Sequence, residues 1–237
     1  MPMPLSGEAV DTASASNDPA VLARIGRDVR ARLDRIPAFE RVATDLADLY
    51  VVEKFLTGPD CRRIMQAINR HAVPSTLYSG TQTAGFRTSH THHFERDDPL
   101  TRDLEHYICE VSGLDILHAE PLQGQRYQKG QEFRHHHDFF HVGERYWEGE
   151  ARRGGQRTWT VMLALNEPRE GGETDFPQLG FRFRPRTGRL LVWNNMDRDG
   201  RPNMRTLHAG LPVTRGIKHI VTLWFRQEPW RLLNPAH

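Results

Sequence analysis

The sequence predicts a mainly β domain, of the sandwich or jelly-roll class, that follows several helices near the N-terminus. From Leu122 onward, short apolar or alternating runs are separated by Gly, Pro, Asn and Asp, and no long helical stripe occurs among them. Such runs with frequent turn signals are typical of antiparallel sheets, whereas alternating β/α units would place helical stripes between the strands. Before Leu122, by contrast, apolar residues recur at helical spacing.

The elements before Leu122 are predicted from caps, breakers and apolar spacing. Residues 1–17 are rich in Ser, Ala, Pro and Gly, show no periodicity and are predicted to be a flexible tail. Thr57 is the expected N-cap of the second helix. Gly113 is expected to end the third helix, whose buried face would contain Tyr107. The predicted elements are helices over residues 20–33, 61–71 and 99–111 and a strand over residues 48–56.

Composition excludes several classes of protein. With 237 residues, 38% of them hydrophobic and 26% charged, the chain fits one large globular domain. No apolar run approaches the roughly 20 residues of a membrane helix, and the start lacks the features of a secretory signal, which favours a cytoplasmic location. Cys61 and Cys109 are too few for a disulfide framework. Acids and bases are interspersed at a net charge of +2, which argues against a nucleic-acid partner.

The most informative segment is FRHHHDFF at residues 133–140. In a strand, residues two apart point to the same face, so His136 and Asp138 can bind one metal. A third ligand must come from elsewhere, and His208, 72 residues after His136, is the best candidate. Two imidazoles and one carboxylate are the ligand set of non-haem Fe(II) oxygenases, and they leave coordination positions open for a cosubstrate and O2.

The run of three histidines leaves the register of this site open. His135 with His137, or His137 with His141, could bind another divalent metal, and the cluster could equally be a solvated, pH-sensitive patch. An HxD pair occurs often by chance, so these residues alone do not establish an iron site.

Longer motifs surround the three candidate ligands. They are Y-x-x-G-x-x-F-x-x-H-x-D at residues 127–138, GGETDFP at 171–177, and HAG-x-PV-x-x-G-x-K at 208–218, followed by Thr222 and Trp224. In this order they resemble the prolyl 4-hydroxylase family of 2-oxoglutarate/Fe(II) dioxygenases over about residues 122–224. YVVEKFLTGPDCRRIMQAI at 50–68 and FRTS at 86–89 extend the resemblance upstream.

The resemblance implies a double-stranded β-helix (jelly-roll) core with supporting N-terminal α-helices, and a site for Fe(II), 2-oxoglutarate and O2. The catalytic metal ligands would be His136, Asp138 and His208. His135 and His137 would then point to the opposite face of their strand. GGETDFP is expected to be a structural turn at one rim of the barrel.

The resemblance also implies that Tyr127, Lys218 and Thr222 contact 2-oxoglutarate. The distal carboxylate of this molecule needs a buried cation, which Lys218 can supply, although most lysines are simply solvated. Tyr127 and Thr222 offer hydroxyl groups to the same carboxylate. The residues implied at the substrate side are Arg87, Arg157 and Trp224.

The implied activity is hydroxylation of an aliphatic C–H bond in a prolyl residue of a peptide or protein, with release of succinate and CO2. A hydroxylase of a free amino acid or small metabolite is the alternative within the same chemistry. A non-catalytic metal-binding or oxygen-sensing module and a cupin-like zinc hydrolase are alternatives outside it. Lys218 and Tyr127 argue against these two, since neither needs a 2-oxoglutarate anchor. The resemblance also allows a role for ascorbate and a homodimer.

The predicted organisation is a flexible tail over residues 1–17, a helical extension over 18–45 and the dioxygenase domain over 46–237. Two segments depart from the family pattern and leave the substrate open: THHFERDD, which follows FRTS, and the charge-rich insert at 141–157.

Overall fold

Two larger antiparallel sheets, one separate pair of short strands and a layer of helices make up the part of the chain that the computed structural model describes, residues 17–76 and 85–235. The helices are α1 (Pro19–Leu33), α2 (Gly58–His71), α3 (Arg102–Ser112), α4 (Trp147–Arg152) and α5 (Trp230–Leu233). The first seven strands are β1 (Glu40–Arg41), β2 (Leu49–Val52), β3 (Val73–Pro74), β4 (His90–His93), β5 (Gln123–Tyr127), β6 (Phe133–His136) and β7 (Arg157–Ala164). The others are β8 (Glu170–Gly171), β9 (Thr174–Phe176), β10 (Phe181–Phe183), β11 (Arg189–Asn194), β12 (His208–Gly210), β13 (Val213–Arg215) and β14 (Lys218–Arg226).

The large sheet has the strand order β1-β2-β11-β7-β14-β5-β4-β3, and the small sheet has the order β10-β9-β12-β6. One apolar cluster lies between the helices and the large sheet, where Ile64 and Ile68 of α2 pack with Leu163 and Leu223. A second cluster lies between the two sheets and contains residues of both, such as Met162 of β7 and Phe176 of β9. The predicted mainly β, jelly-roll core with supporting helices is confirmed.

Strand β14 faces both apolar clusters, and its sequence shows why. Val221, Leu223 and Phe225 pack towards the helices. The alternate residues Lys218, Ile220, Thr222 and Trp224 line a cavity on the other face. Because side chains alternate across a strand, a strand buried on both sides can supply core residues to one face and a polar site to the other.

The helix ends follow the predicted capping residues. The Asp18 side chain accepts the backbone N–H of Ala20 at 2.8 Å at the start of α1. Thr57 caps α2 in the same way through the N–H of Asp60. Gly113 ends α3 with a φ of 74°, in the left-handed region that glycine adopts at little cost.

Two predicted elements differ from those observed. The strand predicted to reach residue 56 ends at Val52, because Lys54 has a φ of 54° and the N–H of Phe55 bonds to Gly188 instead of a strand neighbour. Tyr107, predicted to be buried, is 48% exposed and stacks on Phe55 at the surface. Helix α3 is rotated so that Glu105 is buried instead, since its carboxylate pairs with Arg231 at 2.6 Å.

The predicted tail over residues 1–17 lies almost wholly outside the described residues. Helix α1 shares the apolar cluster beneath the large sheet through Val29 and Leu33. In the described part of the chain, no helix combines the length and the apolar character needed to cross a membrane.

Candidate active site

The small sheet brings the three predicted metal ligands together. His136, at the end of β6, is the register partner of His208, at the start of β12. Asp138 follows two residues after β6, and its two carboxylate oxygens lie 3.8 Å from Nε2 of His136 and 3.9 Å from Nε2 of His208. Within the described residues, this is the one group of three or more potential ligands whose donor atoms converge, all within 4.8 Å of one another. The alternative pairs, His135 with His137 and His137 with His141, belong to no such group there.

Backbone contacts set the tautomer of both imidazoles. Nδ1 of His136 lies 2.7 Å from the carbonyl oxygen of Arg134, and Nδ1 of His208 lies 2.9 Å from that of Thr206. A carbonyl oxygen only accepts, so each Nδ1 must carry the hydrogen, and each Nε2 keeps its lone pair for a metal. The His136 ring also stacks on Phe133, with ring centroids 3.6 Å apart.

The electrostatic environment favours the deprotonated ligands that a metal requires. Burial lowers the pKa of His136 to about 3, and the adjacent His208 contributes in the same direction. Burial alone would raise the pKa of Asp138. His208, His136 and Arg157 outweigh it and hold this pKa below its usual value. Two imidazoles and one carboxylate match the donor set that binds non-haem Fe(II).

A narrow inner cavity extends from the three ligands along β14 and β5. Its walls include all three residues predicted to contact 2-oxoglutarate. The lining residues beyond the ligands include Gln125, Tyr127, Met162, Thr174, Lys218, Thr222 and Trp224.

Lys218 places a positive charge in this cavity. Its side chain is 2% exposed, and no carboxylate in the described part of the chain forms an ion pair with it. Its ammonium lies 5.2 Å from the ring centre of Tyr127, its register partner on β5. Burial lowers the pKa of Lys218 to about 8, and Glu173 opposes this shift only in part. A buried cation with no counter-ion is stabilised by an anion that enters the cavity.

The hydroxyl groups of Tyr127 and Thr222 belong to the same cavity. The Thr222 hydroxyl donates to Oε1 of Gln125 at 3.2 Å, which leaves its oxygen able to accept. Burial raises the pKa of Tyr127 despite hydrogen bonds with Ser89 and Arg87, so its phenol stays protonated.

An outer pocket of about 560 Å³ opens over the ligands towards solvent. Arg87, Arg157 and Trp224 all line it, where the sequence predicts the substrate side. Arg87 lies over the Phe133 ring at 4.9 Å and donates to the hydroxyls of Ser89 and Thr91.

Arg157 differs from a freely exposed substrate-binding arginine. Its guanidinium lies 4.3 Å from the centre of the Trp224 ring and makes two hydrogen bonds to the Glu120 carboxylate, at 2.6 and 2.7 Å. The charge of Arg157 is therefore balanced by the Glu120 carboxylate where Arg157 lines the pocket.

Two predictions about the neighbouring segments need correction. Strand alternation cannot place His137 on the face opposite the ligands, because β6 ends at His136; His137 lines the outer pocket, as does His135. GGETDFP is not a turn throughout, since residues 174–176 form β9 and Phe176 stacks on His208 at 5.1 Å.

Two further residues at the site could not be recognised from sequence patterns. Thr160 donates its hydroxyl to Oδ2 of Asp138 at 2.8 Å, and Asn195 donates to the Thr160 oxygen at 2.9 Å. Both lie in apolar strand segments, TWTVMLA and LVWNN, where a single polar residue looks like ordinary packing.

Comparisons with known proteins agree on one family of oxygenases. Residues 122–226 match the model of the 2OG-Fe(II) oxygenase superfamily. A putative prolyl 4-hydroxylase of Acanthamoeba polyphaga mimivirus is 33% identical over 179 residues, which cover 75% of this chain and 74% of that protein. Prolyl 4-hydroxylase 2 of Arabidopsis thaliana is 29% identical over 201 residues, which cover 74% of this chain and 66% of that protein.

Solved structures agree with the fold. The viral collagen prolyl hydroxylase of Paramecium bursaria Chlorella virus-1, in complex with 2-oxoglutarate, superposes with a TM-score of 0.59 at 26% identity. The match covers 75% of this chain and 95% of that one. A prolyl hydroxylase of Trichoplax adhaerens gives a TM-score of 0.61 at 16% identity over 90% of this chain and 93% of that one, a likeness of fold alone.

Proposed function

Because the chain belongs to the prolyl 4-hydroxylase family of 2-oxoglutarate/Fe(II)-dependent dioxygenases, we propose that it hydroxylates a prolyl residue in a peptide or protein. 2-Oxoglutarate and O2 are consumed, and succinate and CO2 are released. The observation that carries the proposal is a single cavity in which the convergent ligands His136, Asp138 and His208 share walls with the buried ammonium of Lys218.

Each side chain has a defined task in this reaction. His136, Asp138 and His208 would hold Fe(II), which would supply the activation of O2 that an unactivated C–H bond requires. Lys218 would bind the distal carboxylate of 2-oxoglutarate. Tyr127 would donate its phenolic hydrogen to the same carboxylate, and Thr222 lines the same cavity. The apolar lining excludes water from the reacting atoms.

The outer pocket suits a residue that is presented by a longer chain. Its walls include the aromatic side chains Phe139, Phe140 and Tyr146, which suit the apolar pyrrolidine ring of a prolyl residue. Arg87 and Trp224 line both the outer pocket and the inner cavity, Arg157 lines the outer pocket, and all three would orient the substrate. The prolyl substrate itself is supported by the names of the relatives, among them the mimivirus protein and the viral collagen prolyl hydroxylase.

Two other functions remain as alternatives that the experiments below distinguish from the proposed one. A free amino acid or small metabolite would use the same inner cavity and would leave the volume of about 560 Å³ in the outer pocket largely empty. A non-catalytic metal-binding or oxygen-sensing module would not require the buried cation of Lys218.

The reaction class is tested without knowing the substrate. Purified protein is loaded anaerobically with Fe(II) and 2-oxoglutarate, and a weak visible charge-transfer band is expected. Admission of O2 should then release succinate, even slowly without substrate. An iron-loaded protein that gives neither the band nor succinate would exclude the dioxygenase function.

The substrate class needs a second experiment. Proline-containing peptides and free proline are incubated in parallel with iron, 2-oxoglutarate and O2, and products are read as a mass gain of one oxygen atom. We expect the gain on peptides. A gain on free proline, with none on peptides, would assign the small-molecule alternative.

Further features of the protein are proposed on sequence grounds. We propose a cytoplasmic location, no nucleic-acid or membrane partner, a stimulating effect of ascorbate and a monomer or homodimer. The division into a tail over 1–17, an extension over 18–45 and a domain over 46–237 belongs to the same set of proposals.

A further inference from the structure

The carboxylate ligand Asp138 is held from behind by a short chain of hydrogen bonds. The Thr160 hydroxyl lies 2.8 Å from Oδ2 of Asp138, and Nδ2 of Asn195 lies 2.9 Å from the Thr160 oxygen. Thr160 and Asn195 are both fully buried, and Asp138 is 6% exposed. Water therefore does not compete with these contacts.

The direction of the chain follows from its chemistry. A carboxylate that ligates a metal is deprotonated, so the oxygens of Asp138 can only accept hydrogen bonds. The Thr160 hydroxyl has one hydrogen, and this hydrogen must go to Asp138. The Thr160 oxygen is then free to accept from the amide of Asn195. The direction of both hydrogen bonds is therefore determined: Asn195 donates to Thr160, and Thr160 donates to Asp138.

The backbone fixes the far end of the chain. The N–H of Asn195 bonds to the carbonyl of Thr158 at 2.8 Å, and the Asn195 carbonyl accepts the N–H of Asn203 at 2.9 Å. Asn195 directly follows β11, whose Trp193 is the register partner of Thr160 on β7. The two residues are therefore placed by the ladder of the large sheet.

Asp138 lacks this kind of support from its own segment. It lies beyond the end of β6, outside the ladder that pairs His136 with His208. The hydrogen bond from Thr160 links it to the large sheet, so both sheets contribute to the ligand geometry. Without such a bond, the aspartate could turn about its two side-chain torsions and place the carboxylate in several orientations.

We propose that Thr160, oriented by Asn195, is a positioning residue that fixes the Asp138 carboxylate so that its remaining lone pairs face the two imidazoles. The inference rests on the metal site of the proposed function. It concerns metal affinity and geometry, and it does not depend on which substrate is hydroxylated.

The test compares three variants by anaerobic titration with Co(II), read by its visible absorption. Thr160→Val removes the hydroxyl at nearly constant volume and should raise the Kd for Co(II) roughly 10- to 100-fold, as losses of ligand-supporting hydrogen bonds do. Thr160→Ser restores the hydroxyl and should bring the Kd back close to the original value. Thr158→Val is the matched control, because Thr158 is buried on the same face of β7 but donates to the carbonyl of Phe225.

Further measurements separate positioning from folding. Urea unfolding of each metal-free variant reports any general loss of structure, and the Co(II) spectrum reports ligand geometry. If Thr160→Val does not fold, Asn195→Ala replaces it and should weaken Co(II) binding several-fold with an altered spectrum. In a Thr160→Val background, Asn195→Ala should add no further loss, because its effect passes through the hydroxyl.

The outcomes distinguish this inference from the proposed function. Failure of the unmodified protein to bind Co(II) would remove the metal site and the proposed function with it. Normal Co(II) binding by a folded Thr160→Val, or equal losses in Thr158→Val and Thr160→Val, would overturn the positioning role alone.

Discussion

A single lysine distinguishes this metal site from a structural one. Lys218 is almost completely buried and has no carboxylate partner in the described residues, an arrangement that is unfavourable without a bound anion. Its position at the start of β14, opposite Tyr127 on β5, places it in the same inner cavity as the metal ligands. In the proposed function, this charge selects a cosubstrate that offers one carboxylate to the lysine and another to the metal.

Replacement of this lysine should separate cosubstrate binding from metal binding. Lys218→Ala should raise the Kd for 2-oxoglutarate roughly 10- to 100-fold, which corresponds to loss of one charge-assisted hydrogen bond. The Kd for Co(II) should stay unchanged. Lys129→Ala, at an exposed lysine, is the control. Equal 2-oxoglutarate affinity in both variants would contradict the assigned role.

The pKa of Lys218 predicts how this affinity depends on pH. Burial lowers that pKa to about 8 in the cosubstrate-free protein, so above this pH the ammonium loses its proton before 2-oxoglutarate arrives. The Kd should then rise by about tenfold per pH unit between pH 8 and 10, since one proton must be taken up on binding. Below pH 8 it should be nearly flat. Isothermal titration in buffers of different pH would show both parts, and a flat curve through pH 10 would refute the assignment.

At the scale of elements, the sequence predicted the residues that carry local patterns and missed those that depend on distant contacts. His136, Asp138, His208 and Lys218 belong to motifs with fixed spacing, and all four line one cavity. The Thr160 contact could not be predicted in this way, because its partner Asp138 comes from the segment that follows β6 of the other sheet. Helix α3 was likewise predicted from its apolar spacing. The face that it buries depends on the ion pair between Glu105 and Arg231, two residues that are far apart in the sequence.

Strand β5 positions Tyr127, and its packing on helix α2 depends on Gly124. A Cβ at Gly124 would lie 2.4 Å from Cγ1 of Ile68 and 2.7 Å from its Cδ1. Ile68 is fully buried and stiff at χ1, so it cannot move aside cheaply. Helix and strand would have to separate, which shifts the wall that carries Tyr127.

The Gly124→Ala variant should therefore lose about 1–3 kcal/mol of unfolding free energy through overpacking. Urea denaturation of the metal-free protein measures this loss. Gly143→Ala is the matched control, because Gly143 is exposed and nothing lies within 4 Å of the added Cβ. A stable Gly124→Ala variant with unchanged cosubstrate affinity would mean that α2 does not constrain the site.

At the scale of the whole molecule, a buried network of charges joins the large sheet to the charge-rich insert. Glu120 accepts hydrogen bonds from Arg157, at the start of β7, and from Arg226, at the end of β14. Arg226 also binds the Glu150 carboxylate at 2.8 Å, and Glu150 belongs to helix α4 within the insert. The insert is thus anchored to the sheet beside the outer pocket, a role that its composition alone did not indicate.

Removal of the Glu120 carboxylate would leave the buried guanidinium groups of Arg157 and Arg226 with less negative charge beside them. Glu120→Ala should cost about 3–5 kcal/mol of unfolding free energy at neutral pH. Glu148→Ala, which removes an exposed ion pair with Arg152, should cost about 0.5 kcal/mol or less.

Burial alone would raise the pKa of Glu120, but Arg157 and Arg226 outweigh it and hold this pKa below its ordinary value. The carboxylate therefore stabilises the fold above the ordinary pKa of a glutamate, and this contribution is lost as the pH falls through the lower, folded-state value. Urea unfolding of both variants at neutral and acidic pH measures the difference. The difference in unfolding free energy between the two variants should be large at neutral pH and smaller in acid. A difference that is small at neutral pH, or that grows in acid, would show that the network does not hold the insert against the sheet.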